Sequence, residues 1–491
     1  MTIGNIALQY VGKENIYLTS DPQITFFKTV YKRYTNFSIE PIIQYFKTTP
    51  DFNRRCTVNI GKNGDLLSKI YLYIELPTIK SDLDNLKFKW VNKIGLAIIN
   101  FIEIDINGNI VDRHYGDWIN IWNELTIGIG HKKSYNKLIG NTLELNSYTN
   151  TKNNSFLYIP LSFWFCLDTS LSLPLISLYN SDIKIHVDFN DINACYKISP
   201  SLYLQVIDNY CIYDKGELFY QIYQNNKIIG EFINFDPIKK LLYYNPKKNT
   251  FIIPINDNEQ QNLKLIGSKS NYIMKININS SIVHKYYNNI PTMVTSYLLV
   301  DYIYLDNFER TQFLNNNHEY LIQVIQTLTE KTINSIYNTY KLPLFNSIKL
   351  LIWRTLLVSN KLNNNYFDYN NTYNNDLIKN NNNKLIVNNL LVFNSINRMD
   401  LNNIKYYTIL QYYQNQLINN DTGIYLYSFS LNPILLQPSG SMNFSKIDDA
   451  YIQLTMNNCV NYQNPILIKA YAIQLNLFKI SNGIGGLVYT I

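Results

Sequence analysis

Tyr158–Phe189 reads YIPLSFWFCLDTSLSLPLISLYNSDIKIHVDF, and its patterning decides the fold class. In its last part Ile183, Ile185, Val187 and Phe189 alternate with Asp182, Lys184, His186 and Asp188. Successive side chains of a strand point to opposite faces, so this period-two pattern predicts a strand with one buried face. Upstream, the apolar runs Leu157–Leu167 and Leu171–Leu178 contain Pro160 and Pro174. Proline cannot donate to a sheet ladder, which places both at strand starts or corners. Asn180-Ser181-Asp182 supplies turn chemistry ahead of the alternating run. The stretch reads as the aromatic corner of an all-β sandwich or barrel.

The same patterning recurs on both sides. Cys56–Ile60 and Ile70–Leu76 read as strands, and Ile98–Ile106 runs into Asn107-Gly108. Asn-Gly is the preferred pair for a two-residue hairpin, because both central residues need positive φ. Next, Trp118, Ile121, Trp122 and Leu125 recur at helical spacing and predict a helix. Leu202–Val206, Phe251–Ile255 and Tyr272–Ile278 are strand-like, with polar connections at Tyr244–Thr250 and Asn256–Asn262; together they suggest a hairpin-rich insertion over about 191–292. Tyr297–Leu305 reads as a strand and Phe308–Gln326 as a helix. Asn360–Asn389 is Asn-dominated and non-periodic, hence a surface loop. Gly423–Leu431, Tyr451–Thr455 and Ile466–Ile480 return to strand patterns. At the start, an irregular arm precedes Ser20-Asp21-Pro22, a helix-start signal; Ile24, Phe27 and Val30/Tyr31 share one face, predicting a short helix to about Arg33.

At 491 residues the chain exceeds the usual size of one core, so two domains are expected. Apolar residues make up 46%, and 42 Tyr and 23 Phe against 18 Gly favour strands. An AT-rich coding sequence accounts for the abundance of Asn, Ile, Lys and Tyr, so the Asn tracts carry little functional weight. The formal charge of +7 is spread along the chain rather than gathered into a basic stripe, and no specific nucleic-acid partner is expected. No basic-plus-apolar leader and no membrane-spanning run is present, which predicts a soluble product made in the cytosol. Five cysteines without CxxC spacing predict reduced, mostly buried thiols rather than a zinc site.

Motifs for nucleophilic catalysis, nucleotide binding and metal hydrolysis are absent from the sequence. His186 and Asp188 share one strand face, the start of a two-His-one-carboxylate metal site, with His284 or His318 as third ligand. The neighbouring Asp182 and Lys184 make that face polar, so a solvated outer surface explains the pair without metal. His114 and Asp117 lie close in sequence but lack a nucleophile, which favours a hydrogen-bonded structural role. Gly483, Gly485 and Gly486 follow a strand with no helix behind them, unlike a phosphate cradle. The expectation is therefore no catalytic residue and no cofactor. Among the N-x-S/T sequons, Asn370 is the glycosylation candidate because its loop should be exposed.

Several of these stretches carry a resemblance. YIPLSFWFC with LPLISLYNSDIKIHVDF, YLTSDPQITFFKTVYKRYTNFSIE, SYLLVDYIYLDNFERTQFLNNNHEYLIQVIQ, LFNSIKLLIWRT, QPSGSMNFSKIDDAYIQLT and AYAIQLNLFKISNGIGGLVYT resemble, in order, the major capsid proteins of the nucleocytoplasmic large DNA viruses. Met442 stands where many relatives carry a small residue or Cys. The resemblance fades over about 191–292 and in Asn360–Asn389. It implies two consecutive antiparallel jelly rolls (a double jelly roll) with short helices in the connections. The arm would be 1–23, the first jelly roll 24–305 and the second 306–491, with LFNSIKLLIWRT as the first strand of the second. It also implies an arm, including Tyr17, Asp21, Pro22, Phe26 and Phe27, that contacts neighbours on the inner side of a capsomer. The implied function is a structural virion protein: a homotrimeric, pseudo-hexagonal capsomer of an icosahedral shell, made in a viral factory in the host cytoplasm. Its partners would be neighbouring capsomers and minor capsid proteins, close to an internal virion membrane. A minor or scaffold-like double jelly-roll paralogue is the alternative, and a jelly-roll metal enzyme or sugar-binding module a more distant one.

Overall fold

The structure is a computed structural model, and it describes residues 3–29, 31–80, 86–224, 226–248, 251–278, 280–284, 291–369, 385–398, 404–418, 423–462 and 464–489. The first barrel uses β1 (Phe37–Tyr45), β2 (Arg55–Asn59), β3 (Leu66–Leu76), β4 (Ile99–Ile106), β5 (Asn109–Tyr115), β6 (Ser155–Pro160), β7 (Ile183–Phe189) and β8 (Thr295–Leu305). One sheet runs β1-β8-β3-β6 and the facing sheet β2-β7-β4-β5, with antiparallel pairing throughout. The second barrel repeats this with β9 (His318–Thr327), β10 (Tyr337–Lys341), β11 (Ser347–Leu357), β12 (Ile386–Phe393), β13 (Ile396–Asn397), β14 (Ile424–Ser428), β15 (Ala450–Met456) and β16 (Ile466–Ser481). Its sheets run β9-β16-β11-β14 and β10-β15-β12-β13. The spatial order is thus the same in both halves, and it is the Greek-key order of a jelly roll.

The decisive stretch behaves as its pattern dictates. Ile183, Ile185, Val187 and Phe189 are buried, and Lys184, His186 and Asp188 lie on the opposite face. Asn107 and Gly108 adopt φ of 57° and 84° and close the β4–β5 hairpin. Behind it, α3 (Gly116–Thr126) buries Trp118, Ile121, Trp122 and Leu125. Gly116 permits a close backbone approach, since a Cβ there would meet the Leu96 carbonyl and lie 2.6 Å from that of Ile99.

β11 and β16 are buried on both faces, and the reason is architectural. Leu351, Trp353, Ile468 and Ala470 fill the second barrel, whereas Leu350, Ile352, Leu356, Tyr471 and Ile473 join the core of the first. The sheet β9-β16-β11-β14 is therefore shared packing surface, and the two barrels meet through side chains rather than a linker. Between β7 and β8 the chain builds a further sheet, with strands from Leu202–Gln205 to Val283–His284, around its own core of Leu204, Phe219, Tyr244, Leu265 and Met274.

Several sequence expectations are corrected. No helix forms after Asp21-Pro22: α1 (Ile3–Gln9) and α2 (Lys13–Thr19) precede it, and the described residues from Ser20 to Asn36 are neither helix nor strand. Asp21 has φ of 52°, and Phe26 and Phe27 find nothing to pack against, so a short helix here lacks the tertiary contacts it needs. Phe308–Gln326 is not one helix: α4 (Asn307–Asn315) ends in an Asn-rich turn, and β9 begins at His318 because Ile322 and Val324 enter the core. Consequently Leu344–Thr355 contains the third strand of the second barrel, not the first. Phe251–Ile255 is not a strand, Leu241–Lys248 is, and Asp257–Asn262 is a helical turn. The Asn-rich segment is not loop throughout, since Val358–Leu362 is helical and β12 starts at Ile386.

Candidate functional site

A cluster of buried charges lies where the barrels meet. Asp117 extends from the first turn of α3, a position that favours an acid beside the free N–H groups. Its Oδ2 accepts from Arg354 Nη2 at 2.6 Å and Nε at 3.0 Å, and from the Tyr471 hydroxyl at 2.7 Å. The Tyr369 hydroxyl donates to the other carboxylate oxygen. Arg354 also reaches Glu330 at 3.0 Å, and Glu330 holds Lys361 at 2.6 Å. Burial alone would raise the Asp117 pKa, but the Arg354 and Lys469 charges and the donated hydrogen bonds hold it at about 2. Arg354, on the apolar face of β11 that meets the first barrel, is correspondingly held protonated.

Neighbouring contacts extend the junction. Asp112 on β5 accepts from the Ile325 backbone N–H of β9 at 3.1 Å. His114 bonds Asp112 at 2.9 Å and stacks on Phe163, and Trp164 meets Phe478 with ring centroids 5.7 Å apart. His114 and Asp117 are thus hydrogen-bonded to separate partners. The role of Arg354, Tyr369 and Tyr471 was not legible, because nothing local marks a residue whose partner lies 237 to 354 positions away.

His186 and Asp188 project from one face of β7 but are occupied differently. His186 Nδ1 bonds the Thr57 hydroxyl at 2.8 Å and its Nε2 lies 3.5 Å from Asp105, whereas Asp188 accepts from Asn100 at 2.7 Å. The face is therefore half-buried and internally bonded rather than freely solvated. His318 lies against the Phe313 carbonyl, and the backbone of His284 pairs with Leu202 in the additional sheet. Among the described residues no cluster of three His, Cys, Asp or Glu could hold a metal. The thiols of Cys56 and Cys195 are buried and no disulfide links the five cysteines; burial pushes Cys166 up to about 12. Asn370 lies outside the described residues.

The arm residues stand clear of the body. Tyr17, Phe26 and Phe27 are 89%, 90% and 98% exposed, and Asp21 and Pro22 are exposed with them. The adjoining edge strand β1 exposes Phe37, Ile39, Ile43 and Tyr45. Tyr45, Tyr297, Tyr73 and Phe156 continue this surface as a ladder of ring contacts across the sheet. An edge strand with exposed apolar residues and unpaired backbone groups is a surface that proteins normally cover.

A double jelly roll with locked barrels and a projecting apolar arm is the architecture of a class of viral shell proteins. Residues 25–222 match the model of the major capsid protein N-terminus, and residues 309–486 that of the large eukaryotic DNA virus major capsid protein. Probable capsid protein 4 of Acanthamoeba polyphaga mimivirus is 34% identical over 100% of this chain and 99% of its own length. The major capsid protein of Phaeocystis pouchetii virus is 28% identical, with both chains fully covered. The solved Faustovirus major capsid protein shares the fold with a TM-score of 0.65 at 12% identity, covering 97% of this chain and 96% of that one. This chain belongs to the major capsid protein family of the large eukaryotic DNA viruses.

Proposed function

We propose that the chain is a major capsid protein, a non-enzymatic structural component of an icosahedral virion, and that it acts as a homotrimer. The observation that carries this reading is the pairing of two like barrels, locked through Asp117 and Arg354, with an apolar arm and edge strand left uncovered in the single chain. Three such pairs present six barrels and a pseudo-hexagonal outline suited to tiling, and a threefold arrangement closes heterologous contacts into a ring. In this reading residues 1–23 form the arm, 24–305 the first jelly roll with its insertion at about 191–292, and 306–491 the second with its Asn-rich segment at about 360–389. Neighbouring capsomers, minor capsid proteins and the internal membrane are the partners, and assembly takes place in the cytoplasmic viral factory.

Light scattering on the purified protein at neutral pH and moderate salt tests this. A mass about three times 57.6 kDa supports the capsomer. A strict monomer would overturn it in favour of a minor or scaffold-like paralogue with the same fold.

A further inference from the structure

We propose that the outer face of the first barrel's sheet β1-β8-β3-β6 receives the second barrel of another copy of this chain. The contact is made through the helical turns Tyr406–Leu410 and Gln411–Gln414 and the segment after β14. This rests on the homotrimeric reading and supplies its contact faces. Strand register sets Tyr45, Tyr297, Tyr73 and Tyr158 side by side across all four strands. The adjoining row is Ile43, Leu299, Tyr71 and Pro160, with Asp301 and Glu75 in the rows to either side. The other face fills the barrel with Ile70, Leu72, Leu298 and Val300. An antiparallel sheet with one wet face alternates apolar and polar residues, whereas strands covered on both sides are apolar on both. β11 and β16 follow the second pattern because the first barrel covers them.

The occupant follows from the contact inside the chain. There the sheet β9-β16-β11-β14, the counterpart of β1-β8-β3-β6, is covered by three parts of the first barrel. These are β5, the helix α3 behind it, and the segment after β6. Asp112 of β5 bonds the Ile325 backbone, Trp118 of α3 lies against Tyr471 with ring centroids 5.4 Å apart, and Trp164 after β6 meets Phe478. The second barrel has the same three parts: β13, the helical turns that follow it, and the segment after β14. In the single chain they expose Ile396, Leu410, Tyr413, Leu431 and Leu435. An uncovered apolar sheet and the uncovered counterparts of the elements that cover its twin thus lie on different barrels of one chain. Joining them between copies gives a heterologous contact, the kind that a closed ring is built from.

The test is sedimentation velocity on the full chain carrying charges in one face at a time. Ile43→Asp with Tyr45→Asp, and separately Leu410→Asp with Tyr413→Asp, should each leave a monomer at a concentration where the unaltered protein is trimeric. Ile238→Asp, at an exposed apolar residue of the additional sheet, should leave the trimer intact. A second measurement needs no charge substitution: a photoreactive benzoylphenylalanine in place of Tyr413, which is 83% exposed, should cross-link on illumination to Phe37–Tyr45 or Ser155–Pro160 of a second chain. A trimer that survives both charged pairs, or the absence of a cross-link to these strands, overturns the assigned faces and leaves the trimer standing. A strictly monomeric unaltered protein overturns the faces and the trimer together.

Discussion

Asp117 and Arg354, 237 residues apart in the chain, meet at 2.6 Å across the interface of the two barrels. Their pairing lets a guanidinium occupy an otherwise apolar sheet face, and it couples the orientation of α3 to that of β11.

Removing one partner of this pair strands the other. Asp117→Ala is expected to destabilise the protein by about 3–5 kcal/mol, because Arg354 would remain buried without its main counter-charge. The double variant with Arg354→Met should lose less than the sum of the single changes. Chemical unfolding midpoints of the four proteins in this cycle measure the coupling; strictly additive losses would show that the pair is energetically idle.

Acid should act through the same carboxylate. Asp117 is held at about 2 when folded against an ordinary 3.8, so the folded state favours its charged form. That contributes about 2 kcal/mol above pH 4, and the contribution fades as pH falls from about 4 towards 2. The melting-temperature gap between the unaltered protein and Asp117→Asn should therefore narrow over this range. A constant gap would contradict the assignment.

Lys197 has the opposite character. Burial, reinforced by the charges of Lys89 and Lys247 and opposed by Asp368, lowers its pKa to about 7. The unfolded chain binds this proton up to about pH 10.5 and the folded chain only up to about 7, so stability falls as pH drops through that window. Lys197→Met should stabilise the protein by about 1–3 kcal/mol at pH 7 and by progressively less towards pH 10. Thermal scans at several pH values would show this, and an equal effect at both ends would refute it.

The arm offers a different contrast between folding and assembly. The side chains of Phe26 and Phe27 are almost fully exposed in the single chain, so the paired change Phe26→Ser and Phe27→Ser should alter stability by less than about 0.5 kcal/mol. It should nevertheless reduce self-association, read as particle mass by light scattering. Unchanged assembly would remove the arm from the contact surface.

The amino-acid order alone determined strands such as Ile183–Phe189 and Ile99–Ile106, because a half-buried strand writes its face into period-two alternation and a hairpin turn into Asn107-Gly108. It also determined α3 through the spacing of Trp118 to Leu125, and the family through stretches placed along both halves. Where local pattern and tertiary context disagreed, context won. The helix expected after Pro22 had no surface to fold upon, and His318–Gln326 became strand once Ile322 and Val324 had a core to enter. Burial of β11 and β16 on both faces, and the meeting of Asp117 with Arg354, Tyr369 and Tyr471, were decided only by tertiary structure. Such contacts join residues hundreds of positions apart, and neither propensity nor periodicity, both set by near neighbours, carries information over that distance.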